Sequence, residues 1–393
     1  MSAGSTIMNP IQLFVPKYRV EECLNEIRIC LEKGWTGAGF KTIEFEEAWL
    51  AYTQLPYAHF LSSATAGLHL ALKLLKEENN WQDGDEVITT PLTFVSTNHV
   101  ILYENMVPVF ADVDRFLCID PDSLESLITP KTRAIIFVGL GGNYGQLDRV
   151  AEFCRRKDIK LILDAAHMAG TRFNGKHVGQ EADVTVFSFQ AVKNLPTADS
   201  GMICFADQKL DEEVRKWSWL GINKDTFSRT LSKGAYKWHY DVEVEGFKYH
   251  GNSIMAALAL VGLKYLDQDN AYRRQIASWY EDFLGDSVDV VPNRDGCESS
   301  RHLVQVMVDG RDEIMLALND HGIYPGVHYR DNTSYKMYKN RLGSTRNAQR
   351  ASERIISLPM HLGLSYQDVQ RTSQALLDAL AFKKTSGELT HNA

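Results

Sequence analysis

The stretch VTVFSFQAVKNLPTADSGMICF, residues 184–205, decides the fold. It opens as an almost continuously apolar run of β-branched and aromatic residues, then breaks at a polar turn with one lysine, Lys193, between Val192 and Asn194. A strand apolar on both faces belongs inside a sheet covered on both sides, which is where parallel strands occur. The turn then lies at a rim of that sheet, and Lys193 is either a solvated loop cation or a nucleophile.

Four runs of the same kind precede it: EVITTPLTF (86–94), VPVFADV (107–113), RAIIFVGL (133–140) and IKLILDA (159–165). Segments of helical period, such as LDRVAEFCRRKD (147–158), separate strands and act as crossovers. The expected class is α/β, with a large, doubly wound, mostly parallel sheet. An aromatic and charged segment at 223–252 is too polar for a core strand and too long for a simple loop, which suits a functional excursion or a subunit contact. A helix beginning SIMAALALVGLKYLDQD (253–269) leads into HLVQVMV, RDEIMLALNDHG and SYQDVQRTSQALLDAL, a smaller C-terminal α/β domain. This divides the chain into a large domain over 10–252 and a small one over 253–383, with flexible tails at 1–9 and 384–393.

The 393 residues, 44% hydrophobic and 23% charged, suit a soluble globular enzyme with a buried core. A formal charge of −8 lacks the basic field that nucleic acid requires, although it leaves room for a local anion site. Six cysteines without a CxxC pair indicate neither a disulfide framework nor a zinc ribbon, so no metal is expected and a reducing compartment is. With no signal-peptide pattern and no eighteen-residue apolar run, the expectation is a cytoplasmic protein without a membrane partner.

Asp164 closes KLIL and so lies at the carboxyl end of a strand, where open α/β sheets place their ligands. Lys193 follows the next strand and shares that rim if the two strands are close. An acid and a lysine at one rim are the pair that pyridoxal phosphate requires: the lysine forms an imine with the aldehyde, and the carboxylate keeps the pyridine nitrogen protonated. A phosphate seat is offered by SSATAGLHLALKLLKEE (62–78), where Ser63, Ala64, Thr65 and Ala66 open an amphipathic helix with free amides and a positive dipole end. Ser188 adds a hydroxyl. Each residue alone has an ordinary explanation as an N-cap, strand residue, turn former or surface charge.

The loop GLGGNYG (139–145), followed nineteen residues later by Asp164, comes close to a dinucleotide fingerprint. Tyr144 occupies the position of its third glycine, where close helix packing needs a missing side chain. The expectation is a plain loop of glycines.

Eight motifs occur in one order: GWTGAGF (34–40), SSATAGLHLAL (62–72), GDEVITTPLTFVST (84–97), VPVFADVD (107–114), LILDAAHMAG (161–170), FSFQAVKN (187–194), GVHYRDN (326–332) and ISLPMHLGLS (356–365). With them the chain, from about residue 10 to 380, resembles the DegT/StrS family of nucleotide-sugar aminotransferases, which have the aspartate aminotransferase type I fold. The resemblance implies that Lys193 holds pyridoxal 5'-phosphate as an imine and that Asp164 partners the pyridine nitrogen. It implies that His167 reaches the phenolic oxygen, Phe94 stacks on the ring, and Ala64, Thr65 and Ser188 hold the phosphate. Trp35, Thr36, His328, Tyr329 and Asn332 fall in motifs that would face the substrate. Lys248 stands where many members have an asparagine that crosses a dimer interface to the phosphate, so a homodimer with shared sites is implied. The sequence RDN at 330–332 replaces a histidine that often follows the HY pair, and this bears on sugar identity.

The implied reaction moves an amino group, from glutamate, to a keto carbon of a nucleotide-linked deoxysugar. Free lysine is protonated near neutral pH, with a reference pKa of about 10.4, so desolvation or nearby positive charge has to assist it. Two alternatives differ in class: a sugar dehydratase of the same fold, in which histidine is expected in place of Lys193, and a regulatory or nicotinamide-binding protein without this chemistry.

Overall fold

The computed structural model describes residues 9–223, 240–339 and 343–391. Much of the 223–252 excursion, the first eight residues and the last two lie outside them. Seven strands form the main sheet: β1 (Tyr57–Leu61), β2 (Glu86–Thr89), β3 (Val107–Phe110), β4 (Thr132–Val138), β5 (Lys160–Asp164), β6 (Val184–Ser188) and β7 (Gly201–Phe205). Their order is β1-β7-β6-β5-β4-β2-β3. All pairs are parallel except those of β7, which runs antiparallel to both neighbours.

The five expected strands are present, and β1 and β7 are additions. The run 86–94 is shorter than expected, because the chain leaves the sheet after Thr89. Pro91 has no N–H to give a neighbouring strand, which favours an exit there.

Helix α1 (Val20–Glu32) packs on the long helix Ser253–Leu284, and α2 (Phe40–Thr53), α3 (Ala64–Glu78), α4 (Val95–Tyr103), α5 (Leu147–Lys157) and α6 (Gln208–Trp217) accompany the sheet. The two faces of the sheet carry separate cores, one including Ile135, Phe137, Leu163 and Phe187, the other Ile136, Ile162, Val186 and Ile203. Alternate residues of single strands divide between them, as the two-residue repeat of a covered strand requires.

Helix α7 (Ser253–Leu284) extends well beyond the expected 269. Its Ala256, Ala259 and Leu260 join the first sheet core, while Ile276, Ala277 and Tyr280 join a third core around the C-terminal strands. That core belongs to a small antiparallel sheet of β8 (Asp289–Val290), β9 (Val304–Met307) and β10 (Ile355–Leu358), packed by α8 (Arg311–Asp320), α9 (Arg346–Arg354) and α10 (Tyr366–His391). Residues 384–391, expected as a flexible tail, continue the backbone of α10 as helix. At the junction of the two sheets, Asp112 accepts from the backbone N–H of Asn347 and Ala348 at 3.0 and 2.9 Å, so a carboxylate after β3 caps the start of α9.

Candidate active site

Strands β5 and β6 are neighbours, with Asp164 opposite Val186. Asp164 and the turn after β6 therefore share the carboxyl edge of the sheet. That turn is fixed by Lys193 N–H to Gln190 O (2.8 Å) and Thr197 N–H to Phe189 O (2.8 Å). The Asn194 amide adds bonds to Asn270 Oδ1 and Ser300 O, both 2.7 Å. A cavity of about 430 Å³ opens above this edge and is lined by Asp164, Lys193, Ala64, Thr65, Phe94 and Ser188. His167, His328 and Tyr329 complete the set of expected residues that meet there.

The Asp164 carboxylate is buried, and both oxygens accept: Oδ2 from the Thr97 hydroxyl at 2.7 Å, Oδ1 from Ala166 N–H at 3.1 Å. Burial raises its pKa, against the pull of these donors and of Lys193. Enclosure pushes Lys193 down to about 8, against the opposing pull of Asp164. A lysine with that pKa has a sizeable unprotonated fraction near neutral pH, which a nucleophile or base needs.

Helix α3 starts at the cavity wall. Ser63 caps it, its Oγ accepting from Ala66 N–H at 3.1 Å, which leaves the first-turn amides of Ala64 and Thr65 at the cavity. A Cβ at Gly201 on β7 would lie 2.7 Å from Ala64 N, so the missing side chain lets this helix start sit down on the sheet. Ser188 ends β6 beside it. Phe94, the residue before α4, is 57% exposed although it is a large aromatic, a face available for stacking.

The glycine loop has a use that its dinucleotide-like spacing concealed. Gly141, in the left-handed region at φ +67°, donates its N–H to His167 Nδ1 at 3.1 Å. The neutral ring therefore carries its proton on Nε2, which lies 3.3 Å from the Tyr329 hydroxyl. Burial and then the charge of Lys193 hold His167 far below the ordinary histidine range, so it is neutral. Burial likewise takes His328, bonded through Nδ1 to Ser357 Oγ at 2.9 Å, down to about 4 and raises the Tyr329 phenol.

Sequence reasoning missed Thr97, Phe14 and His302. Thr97 lay within a quoted motif but pointed at nothing by spacing, and His302 sits before a strand with no local signal. Only the glycine cluster hinted at a close backbone approach, which proves to be toward His167.

Four expected residues lie elsewhere. Trp35, Thr36 and Lys248 line a separate cavity of about 350 Å³ with Trp219 and His250. Lys248 Nζ sits 3.2 Å over the Trp219 ring, a cation–π contact, and burial lowers its pKa. Asn332 is buried outside both cavities, its side-chain oxygen and nitrogen without a hydrogen-bond partner among the described residues.

Comparison with known proteins gives a consistent picture. The model of the DegT/DnrJ/EryC1/StrS aminotransferase family matches residues 17–377. The spore coat polysaccharide biosynthesis protein SpsC of Bacillus subtilis is 33% identical over 372 residues, 91% of this chain and 94% of SpsC. The aminotransferase TlmJ of Streptoalloteichus hindustanus superposes with a TM-score of 0.87 at 31% identity, covering 95% of this chain and all of TlmJ. PseC of Helicobacter pylori, an aminotransferase involved in the biosynthesis of pseudoaminic acid, has a TM-score of 0.87 at 26% identity, covering 95% of this chain and all of PseC. The architecture is that of the PLP aminotransferases of fold type I.

Proposed function

The chain belongs to the DegT/DnrJ/EryC1/StrS aminotransferase family, as a PLP-dependent sugar aminotransferase, and we propose that it carries an amino group from L-glutamate to a keto carbon of a nucleotide-linked deoxysugar. The observation that carries this reading is the pairing, on one cavity floor, of a buried hydrogen-bonded Asp164 with a Lys193 whose pKa falls to about 8. The residues present fit the cofactor: a lysine for its aldehyde, a buried carboxylate for its ring nitrogen, and helix-start amides for its phosphate.

When bound, pyridoxal phosphate supplies an electron sink for the carbon that loses or gains the proton. In this assignment Lys193 would hold the cofactor through Nζ, and its free amine would move that proton. Asp164, kept in place by Thr97 and Ala166, holds the ring nitrogen's proton. His167 would donate a hydrogen bond from Nε2–H to the phenolic oxygen. Phe94 covers the ring face, and Ala64, Thr65 and Ser188 bind phosphate. His328 and Tyr329 border the substrate side, and Asn332 supports that wall from behind.

The separate cavity of Trp35, Thr36 and Lys248 supports a homodimer in which each subunit completes its neighbour's site, with Lys248 leaving Trp219 for the phosphate across the interface. A reducing, cytoplasmic setting fits six cysteines that are all unpaired. The dehydratase alternative is not favoured, because Lys193 stands where that reaction expects histidine.

The test is incubation with L-glutamate and a panel of dTDP-, UDP- and GDP-linked keto sugars. The expected product gains nitrogen and keeps its neighbouring hydroxyl, with one 2-oxoglutarate formed per amine. Loss of water without nitrogen gain would overturn the reaction proposed.

A further inference from the structure

We propose that His302 is a specificity-determining residue of this site, presenting a fixed hydrogen-bond acceptor to a hydroxyl group of the sugar substrate; this rests on the sugar aminotransferase reading above. The Asn194 amide nitrogen donates to both Asn270 Oδ1 and Ser300 O, so the Asn194 oxygen is an acceptor. His302 Nδ1 lies 3.0 Å from that oxygen and must carry the ring proton. His302 is buried and held far below the ordinary histidine range by that burial, so the ring has only this proton. Its Nε2 is left as a lone pair, with no protein donor to it among the described residues.

The ring cannot turn to hide that edge. It is stacked on Phe14, at 5.3 Å and 11°, and packs against His167 at 4.3 Å with the two rings tilted by 37°, and it lines the Lys193 cavity. Its backbone N–H donates to Gly141 O at 3.0 Å, while Gly141 N–H sets the proton of His167. Two neighbouring imidazoles thus hang on one glycine in opposite tautomers, His167 as the donor and His302 as the acceptor.

A lone pair on a ring that lines the cavity suits a ligand that brings a proton. Phosphate, phenolate and carboxylate oxygens bring none at neutral pH, and the ring nitrogen's proton belongs to Asp164. Sugar hydroxyls bring one each; the ammonium of the amino donor brings protons as well, and the donor half-reaction separates the two.

The test uses the holoenzyme and three nucleotide hexoses with no keto group to react: UDP-glucose, dTDP-glucose and GDP-mannose. Binding is measured by calorimetry, and the tightest binder is carried forward. His302→Asn keeps an N–H toward Asn194 and removes the Nε2 acceptor, whereas His302→Gln reaches the Nε2 position with an amide. The Asn variant is expected to bind the hexose about tenfold more weakly, the worth of one hydrogen bond in an enclosed site. The donor half-reaction with L-glutamate, followed by cofactor absorbance, falls by less, and the Gln variant retains most of the affinity. Binding by the Asn variant as tight as wild type, equal losses in binding and in the glutamate half-reaction, or better binding by Asn than by Gln overturns the proposal alone. A wild type that binds none of the three hexoses overturns the reading beneath it as well.

Discussion

The Thr97 hydroxyl, in the first turn of α4, donates a 2.7 Å hydrogen bond to Asp164 Oδ2 at the end of β5. It is the only side-chain donor to that carboxylate among the described residues, and it favours the charged form. In Thr97→Val the shape is kept and the donor lost, an unmet buried acceptor costing about 1–3 kcal/mol. Because a bond to the ionised form is removed, the pKa of Asp164 rises further. The acid limb of the kcat/KM profile should move to higher pH, and an unmoved limb would separate Thr97 from the reaction.

Asp164 itself gives a prediction in two directions. Its folded pKa is raised, so its ionisation weakens the fold as pH rises through that value, and the cost is absent below the unfolded pKa. Asp164→Asn should leave the apo-protein at least as heat-stable as wild type near neutral pH. Turnover should fall roughly a hundredfold or more, since the amide cannot hold the ring nitrogen protonated. Thermal melts and turnover assays on one preparation check both.

Lys193 sets a pH dependence. With its pKa lowered to about 8, covalent capture of added pyridoxal phosphate by the apo-protein should speed up with pH and level off above about 8. The same shift makes the apo-protein gain stability as pH rises from about 8 toward the ordinary lysine value of 10.5. Lys193→Ala should lose capture and that gain together. A borohydride-reduced covalent adduct in the variant would assign the linkage to another amine.

Gly201→Ala probes the phosphate seat. The added carbon would meet Ala64 N and the Ser63 carbonyl carbon at 2.7 Å and Phe187 O at 2.9 Å, all of them backbone atoms. Such overpacking costs about 1–3 kcal/mol, and it lifts the start of α3. Weaker cofactor binding measured by dialysis, with a lower melting temperature, is expected. Unchanged affinity would detach the seat from that helix.

Lys248 tests the shared site. Lys193→Ala and Lys248→Ala should each be inactive, yet a mixture dissociated and reassembled should recover about a quarter of wild-type activity, from one intact site in each mixed dimer. No recovery, with mixed dimers shown by sedimentation of tagged chains, would return Lys248 to its own subunit.

Much of this was legible where chemistry follows strand ends. Asp164 and Lys193 were readable because one apolar run stops at Asp164 and the next gives way to the turn that holds Lys193, and the register of β5 on β6 brings those ends together. β7 was not, since an antiparallel strand buried on both faces has the same apolar texture as a parallel one. The bond from Gly141 to His167 was hidden as well: twenty-six residues separate the two, and tautomers are set by three-dimensional neighbours. Spacing likewise says nothing about which cavity receives Trp35, Thr36 and Lys248.

Helix α7 carries a mechanical consequence. Its 32 residues make a rod of roughly 48 Å, clamped by one core through Ala256 and Leu260 and by another through Ile276 and Tyr280. No slack chain joins the two clamps along this path, so one half cannot swing over the other like a door on a pin. Any closure has to twist or flex a continuous beam, which is stiff at every point, and a stiff beam favours small displacements.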